Sequence, residues 1–439
     1  NYILDTISQI FKNYGFDAIE TPALEKLETL EGKYGEEGAK LLYKIRRNRE
    51  IVNEVPKEEA DKVKDIFPNR WIPGKSKLGL RYDLTIPFAR FIVQHRNEIN
   101  FPFRRYQIQQ VWRGDRPAKG RFREFTQCDA DCIGSDSLIH EADLIQIYNE
   151  AFSGLGLQNA VVKVNHRKFL EALVDELDLD FPVGKFTSTL DKLDKIGEDG
   201  VMKELQEYGI DRDKCKRLFM IIDNAELSTP TLAKFSQAFN KNPIAQKAID
   251  DLTKVLAYLN DYKLNIKLEL DLSLARGLDY YTGCIFEAIV PESGIGSISG
   301  GGRYDDLTGV FGLKDVSGVG ISFGIDRIYE IMESQLLWPD NLHVNKNVLI
   351  CHFDESSQIY GMGMARELRK NGIQSIVYPD NKRINKQFDF ANKIGLKHVI
   401  VIGETEMNTG SLTVKNLEEG DQQSLSLSAA IDYLKSEKI

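Results

Sequence analysis

Cysteine is scarce in this chain. Five residues out of 439, at positions 128, 132, 215, 284 and 351, form an odd set with no CxxC pair. That pattern argues against a disulfide framework or a zinc ribbon and points to reduced thiols used in packing, as in the cytoplasm. Six histidines, at 95, 140, 166, 343, 352 and 398, show no HExxH or other ligand spacing, so no structural zinc is expected. Apolar runs such as residues 399–402 fall far short of the roughly 18 residues a membrane helix requires. The opening Asn1-Tyr2-Ile3-Leu4 lacks a basic stretch and an apolar core, so no secretory signal is expected. There is no GxxxxGK[ST] and no convincing Ser-His-Asp or Cys-His arrangement, which excludes a P-loop and disfavours covalent nucleophilic catalysis.

What is present is an ordinary globular composition, 42% hydrophobic and 28% charged, with length for about three domains at roughly 150 residues each. The net charge of -9 gives no global sign of nucleic-acid binding. Charge is nevertheless uneven. Arg104, Arg105, Arg113, Arg116, Lys119, Arg121 and Arg123 stand against only Asp115 and Glu124 in one short stretch, either a solvated face or a local track for a polyanion.

Residues 3–15 read as an amphipathic helix, with Ile3, Ile7, Ile10, Phe11 and Tyr14 at three- and four-residue steps and Gly15 as its stop. A strand over 16–21 closes at Pro22, and a short strand is predicted near 41–45. Residues 103–112 and 122–133 form a long antiparallel hairpin around a polar loop. Helical periodicity returns over 137–152 and dominates 166–262, which is predicted to be a helical insertion. The period then changes to two: Ile266, Leu268, Leu270, Leu272 and Leu274 alternate with smaller or polar residues, and a further strand is predicted over 280–290. These strands predict an α+β domain with a mostly antiparallel sheet. A polar stretch over 336–347 marks a boundary. Beyond it, strands at 348–352, 373–378 and 399–402 alternate with helices at 357–371 and 384–396, predicting a parallel α/β core.

Three features suggest chemistry. Alternation places Gln127, Asp129 and Asp131 on one face of the returning strand, against Thr126, Cys128, Ala130 and Cys132 on the other, and Gln107, Gln109 and Arg113 share a face of the outgoing strand. If the compact side is buried, the polar side is an interior sheet face suited to a zwitterion and a nucleotide. Gly300-Gly301-Gly302 and Gly318-Val319-Gly320 are either close strand packing or a ligand cradle. Arg327, in the first turn of a helix after Gly324, opposes the helix dipole unless an anion or an exposed carboxylate lies nearby.

Together these segments resemble a known pattern. Residues 16–24, ending near Pro22, are similar to the first motif of class II aminoacyl-tRNA synthetases. Residues 103–131, with Trp112-Arg113, Arg116-Pro117 and Arg123-Glu124-Phe125, resemble the second, and residues 318–327 the third. Arg276-Gly277-Leu278-Asp279-Tyr280-Tyr281 and Gly300-Gly301-Gly302-Arg303-Tyr304-Asp305 resemble the two signatures peculiar to histidyl-tRNA synthetases. The resemblance implies a catalytic domain over 1–335 carrying the insertion at 166–262, followed by an anticodon-binding domain at 345–439. It implies a cytoplasmic homodimer, with no membrane attachment, that activates L-histidine with ATP and Mg2+ and charges tRNA(His). By motif, Arg113 and Arg276 meet the α-phosphate, Arg327 the γ-phosphate, and Glu124 lies near the adenine. Asp83, Thr85 and Gln127 meet the α-ammonium group; Asp131 and Tyr281 bracket the imidazole, with Tyr280 beside it. Asp83-Leu84-Thr85 stands where many bacterial members carry Glu-Gly-Thr, and Asp131 replaces a longer Glu. The alternative, a catalytically silent histidine-binding paralogue like the regulatory subunit of ATP phosphoribosyltransferase, is disfavoured by the signature at 276–281 and by the C-terminal domain.

Overall fold

The computed structural model describes residues 1–31, 40–45, 77–179, 183–222, 225–239, 242–275, 281–305, 307–339 and 345–437. The chain divides into two compact units, Asn1–Leu337 and Trp338–Ile439. Of the residues singled out above, Arg276 and Tyr280 lie outside the described residues, as does most of the stretch between the strands near 44 and 78.

Helix α1 (Tyr2–Asn13) buries Ile3, Ile7, Ile10 and Phe11, the stripe its spacing predicts, and the chain turns away at Gly15 with a left-handed φ of 74°. Next come β1 (Asp17–Ala18), much shorter than the strand predicted over 16–21, and a small sheet of β2 (Leu24–Lys26), β3 (Lys44–Ile45) and β4 (Leu78–Leu80). Helix α2 (Thr85–Gln94) leads to the central hairpin of β5 (Phe103–Trp112) and β6 (Glu124–Ile133), whose ten-residue ladder runs from Phe103 opposite Ile133 to Trp112 opposite Glu124. The sheet continues with β7 (Val161–His166), β8 (Ala225–Glu226), β9 (Lys267–Leu270), β10 (Cys284–Ile289), β11 (Ser299–Tyr304) and β12 (Gly318–Gly324). Among the described residues it has nine strands in the order β1-β5-β6-β12-β11-β10-β7-β9-β8, antiparallel except for β1 with β5 and β7 with β9.

The helices between 167 and 258 connect β7 to its parallel neighbour β9, as a parallel pair requires a crossover. Asp211, Ser228 and Asn242 cap three of them through their side-chain oxygens. The strand predicted over 266–275 ends early for a local reason. Asp271 accepts bonds from the Ser273 amide at 2.9 Å and hydroxyl at 2.5 Å, folding the chain into a turn, while its carboxylate pairs with buried Lys163 at 2.8 Å.

Aromatic packing closes one face of the large sheet. Phe11 of α1 stands 5.5 Å from Tyr106 and 6.1 Å from Phe323, and Phe323 also meets Tyr148 and Phe152 of the helix Ile139–Gly154 edge-on. Cys128, Ala130 and Cys132 are fully buried on that side. The opposite face of β5, β6 and β12 is left for polar residues.

In the second unit, β13 (Asn345–His352) pairs in parallel with β14 (Ser375–Val377) and β15 (Leu396–Ile402), between helices Glu355–Lys370 and Ile384–Lys393. Two strands absent from the sequence reading, β16 (Ser411–Asn416) and β17 (Gln422–Ser426), extend the sheet antiparallel. Leu412, Val414 and Asn416 are the buried side of β16, a period of two whose third member is an amide and so does not register as hydrophobic.

Candidate active site

The polar face is built by cross-strand register. Arg105 lies opposite Asp131, Gln107 opposite Asp129 and Gln109 opposite Gln127, and on the other flank of β6 these acids and this amide meet Gly320, Ser322 and Gly324. Within each strand these residues share a parity, and the register aligns them, so a single sheet face carries the whole set.

The glycines there serve close approach. A Cβ at position 320 would lie 2.0 Å from Asp131 Oδ1, and one at 302 would lie 2.9 Å from the ring of Tyr281. The absent side chains leave room for site residues to fold over the strands.

Asp131 is almost fully buried and both of its oxygens are engaged. Oδ1 accepts from the Tyr304 hydroxyl at 2.7 Å, and Oδ2 lies 2.7 Å from Arg105 Nη2. Arg105 is itself inaccessible, with its guanidinium 4.1 Å over the Phe88 ring. Burial raises the Asp131 carboxyl above its ordinary range, opposed by Arg105 and by the Tyr304 bond. Asp129, 2% exposed, accepts from the Ser322 hydroxyl, which in turn accepts from Gln127 Nε2 at 3.1 Å. Burial pushes its carboxyl up to about 7, with Arg105 pulling it down and Asp131 and Asp83 adding to the rise.

Two cavities open on this face. An acidic one of about 270 Å³ is walled by Asp83, Thr85, Asp129, Asp131, Tyr281 and Tyr304. A second of about 360 Å³ is walled by Arg121, Phe125, Ser297, Asp326 and Arg327. Arg113, Gln127, Gly300 and Ser322 line both, so the cavities adjoin there. Arg113 is held by its Nε donation to the Tyr82 carbonyl at 3.0 Å, with its guanidinium over the rings of Tyr82 at 4.3 Å and Phe125 at 5.1 Å. Arg327 donates to the Ser297 carbonyl from the first turn of the helix Ile325–Ser334, and Gly120 of the hairpin loop packs on its side chain.

The structure thus brings Asp83, Thr85, Asp131 and Tyr281 to one cavity, Arg327 to the other, and Arg113 and Gln127 to both. Glu124 is exposed at the start of β6 and is not among the residues lining either cavity. Arg105, Tyr304, Tyr82 and Ser322 are site residues that sequence reasoning did not assign. Arg105 had a signal in its parity with Gln107 and Gln109; Tyr304 had none beyond its place after three glycines. Nor is the basic run a single solvated face. Arg104 pairs with Asp143 at 2.7 Å and Arg105 is internal, leaving Arg116, Lys119, Arg121 and Arg123 exposed on the loop.

Comparison with known proteins extends this geometry. The family model described as histidyl-tRNA synthetase matches residues 70–328, and that of the anticodon binding domain matches 344–437. The histidine--tRNA ligase of Christiangramia forsetii is 43% identical over 437 residues, covering 99% of this chain and 95% of the relative. That of Cytophaga hutchinsonii is 45% identical over 422 residues, covering 96% and 92%. The crystal structure of histidyl-tRNA synthetase from Nostoc sp. PCC 7120 superposes with a TM-score of 0.81 at 27% identity, over 99% of this chain and 95% of that one.

Proposed function

The chain belongs to the histidyl-tRNA synthetase family and is a histidine–tRNA ligase, and from that premise we propose how its own residues divide the work. The acidic cavity takes L-histidine and the arginine-lined cavity takes ATP. The observation that carries this reading is the shared wall of Arg113, Gln127, Gly300 and Ser322, where a carboxylate from one side can meet a phosphorus from the other.

Adenylate formation needs no protein nucleophile, because the substrate carboxylate attacks the α-phosphorus and pyrophosphate leaves. The protein's contribution is alignment and charge. Arg113, its fork oriented by Tyr82 and two rings, holds the α-phosphate together with Arg276. Arg327 holds the γ-phosphate from a helix start whose dipole also favours an anion. Glu124 meets the adenine side. Asp83, Thr85 and Gln127 take the α-ammonium group; Asp131 and Tyr281 face the imidazole, with Tyr280 beside the ring. A rival side chain without matching ring nitrogens forgoes the hydrogen bonds that this pair offers the imidazole.

Mg2+ completes the site. Among the described residues no group of three or more His, Cys, Asp or Glu could hold a metal by itself, while Asp115 and Asp326 do line the arginine-rich cavity. One or two carboxylates beside phosphates are what Mg2+ ordinarily takes, so Asp115 and Asp326 would meet an ion carried by the nucleotide. When bound it neutralises phosphate charge.

The catalytic domain, 1–335 with its insertion at 166–262, performs activation and transfer, and 345–439 reads the anticodon of tRNA(His). The protein is a homodimer built on the segment 16–24, and it works in the cytoplasm. All five cysteines are free, and among the described residues no helix is long and apolar enough to cross a membrane. Pyrophosphate exchange into ATP tests the assignment. Exchange appears only when histidine is supplied, and charging of tRNA(His) follows; equal exchange with other amino acids, or none with histidine, would refute it.

A further inference from the structure

Taking the acidic cavity as the histidine site, we propose that Asp129 is a substrate-binding residue whose carboxylate, with that of Asp83, receives the α-ammonium group of histidine. The argument begins with depth along β6. Gln127, Asp129 and Asp131 share a face, and successive same-face residues of a strand are spaced by about 6.7 Å. Gln127 lines both cavities, whereas Asp129 and Asp131 line only the acidic one. The reacting carboxylate must therefore lie at the level of Gln127. The ammonium group shares a carbon with that carboxylate, and the imidazole ring is one methylene further away. One step inward from the junction stands Asp129; two steps inward stands Asp131.

Hydrogen-bonding capacity gives the same assignment. Asp131 accepts a hydrogen bond from Tyr304 on one oxygen and is ion-paired with Arg105 through the other. Asp129 accepts from Ser322, but its Oδ1 is buried without a hydrogen-bond partner among the described residues. A buried acceptor left unpaired is costly, and a ligand N–H that reaches it removes the cost.

Charge gives a third reason. Asp83, Asp129 and Asp131 all line a cavity whose lining cation, Arg113, stands at the junction, while the buried Arg105 behind it is already paired with Asp131. Asp83 and Asp131 both disfavour ionisation of Asp129, which burial has already pushed up to about 7. One ligand cation between Asp83 and Asp129 relieves that repulsion and favours the carboxylate. An imidazole, largely neutral at pH 7, would not do so.

The test compares the wild type with Asp129→Asn, which keeps the shape and removes the charge. Three ligands are used: histidine, histidinol, which has the amine and ring but no carboxylate, and imidazolepropionate, which has the ring and carboxylate but no amine. In pyrophosphate exchange the variant raises the KM for histidine by about 10- to 100-fold and leaves the KM for ATP unchanged. Inhibition by histidinol weakens to the same degree, whereas inhibition by imidazolepropionate does not change. Equal weakening of both inhibitors, or an unchanged response to histidinol, overturns the proposal. Thermal unfolding checks that the variant is folded; Asp129→Ser, read on the same two inhibitors, serves if it is not. Absence of histidine-dependent exchange in the wild type would instead sink the underlying site assignment, so the two failures are distinguishable.

Discussion

Replacing Gly320 by alanine tests the packing of the site most directly. The new Cβ would lie 2.0 Å from Asp131 Oδ1 and 2.9 Å from the Ala130 carbonyl oxygen. That carbonyl belongs to the hydrogen-bonded neighbouring strand, so the carboxylate is the part that must move. It has to retreat by about 1.4 Å or more to reach an ordinary contact. Such a shift breaks the 2.7 Å bond from Tyr304 and loosens the 2.7 Å pair with Arg105. A hydrogen bond to a charged group contributes about 1.5–3 kcal/mol, and overpacking a closed interior costs about 1–3 kcal/mol. A destabilisation of about 3–5 kcal/mol is expected in the first unit, read by chemical denaturation of the full chain. Gly320 lines only the acidic cavity, so the KM for histidine rises while that for ATP stays constant. An unchanged unfolding midpoint together with an unchanged histidine KM would refute the reasoning.

Gly363, exposed within the helix Glu355–Lys370, meets nothing when a Cβ is added. Gly363→Ala should therefore stabilise the second unit by about 1 kcal/mol, the ordinary helix-propensity difference, and a lowered midpoint would contradict that. His140 supplies a pH dependence. Burial first, then Arg104, lowers its pKa from 6.5 to about 4, and Arg104 Nη2 lies 3.3 Å from its Nδ1. The unfolded chain takes up this proton first, so the contribution of His140 to stability is present above pH 6.5 and is lost as pH falls towards 4. The slope is about 1.4 kcal/mol per pH unit and the total about 3 kcal/mol. Denaturation between these limits should show a shallower fall for His140→Gln than for the wild type; parallel curves would remove His140 as the cause.

The central hairpin was legible because its signal is local: β5 occupies the predicted residues 103–112, and β6 begins two residues later than read. Period-two parity likewise placed Gln127, Asp129 and Asp131 on one face. What parity leaves open is which of them is saturated. That depends on register with a second strand and on partners remote in sequence. Tyr304 is 173 residues from Asp131, and Arg105 meets Asp131 only because the ladder pairs 103 with 133. Glycine-rich segments were ambiguous for the same reason, since a missing side chain gives no sign of what occupies its space. At 302 and 320 the space is shared between a neighbouring strand's carbonyl, of Cys284 and Ala130 respectively, and a site side chain, Tyr281 and Asp131.

The buried Arg105–Asp131 pair bears on how the reaction is divided along the sheet. Two charges with relative exposures of 0% and 4% carry a desolvation cost that their attraction offsets only when the geometry is well satisfied, so such a pair is weak evidence of stabilisation for its own sake. Its effect here is positional. Paired with Arg105 and bonded by Tyr304, Asp131 is fixed on the wall of the acidic cavity, two strand steps from the junction. The neighbouring Asp129 has an oxygen without a hydrogen-bond partner among the described residues, one step nearer the junction. If histidine binds as proposed, a ligand that satisfies Asp129 with its ammonium group and reaches Asp131 with its ring has its carboxylate at the level of Gln127, where Arg113 also lines the junction of the two cavities. Selection of the amino acid and alignment of the attacking oxygen are then the same event, which is why a site without a protein nucleophile can activate its substrate by position alone.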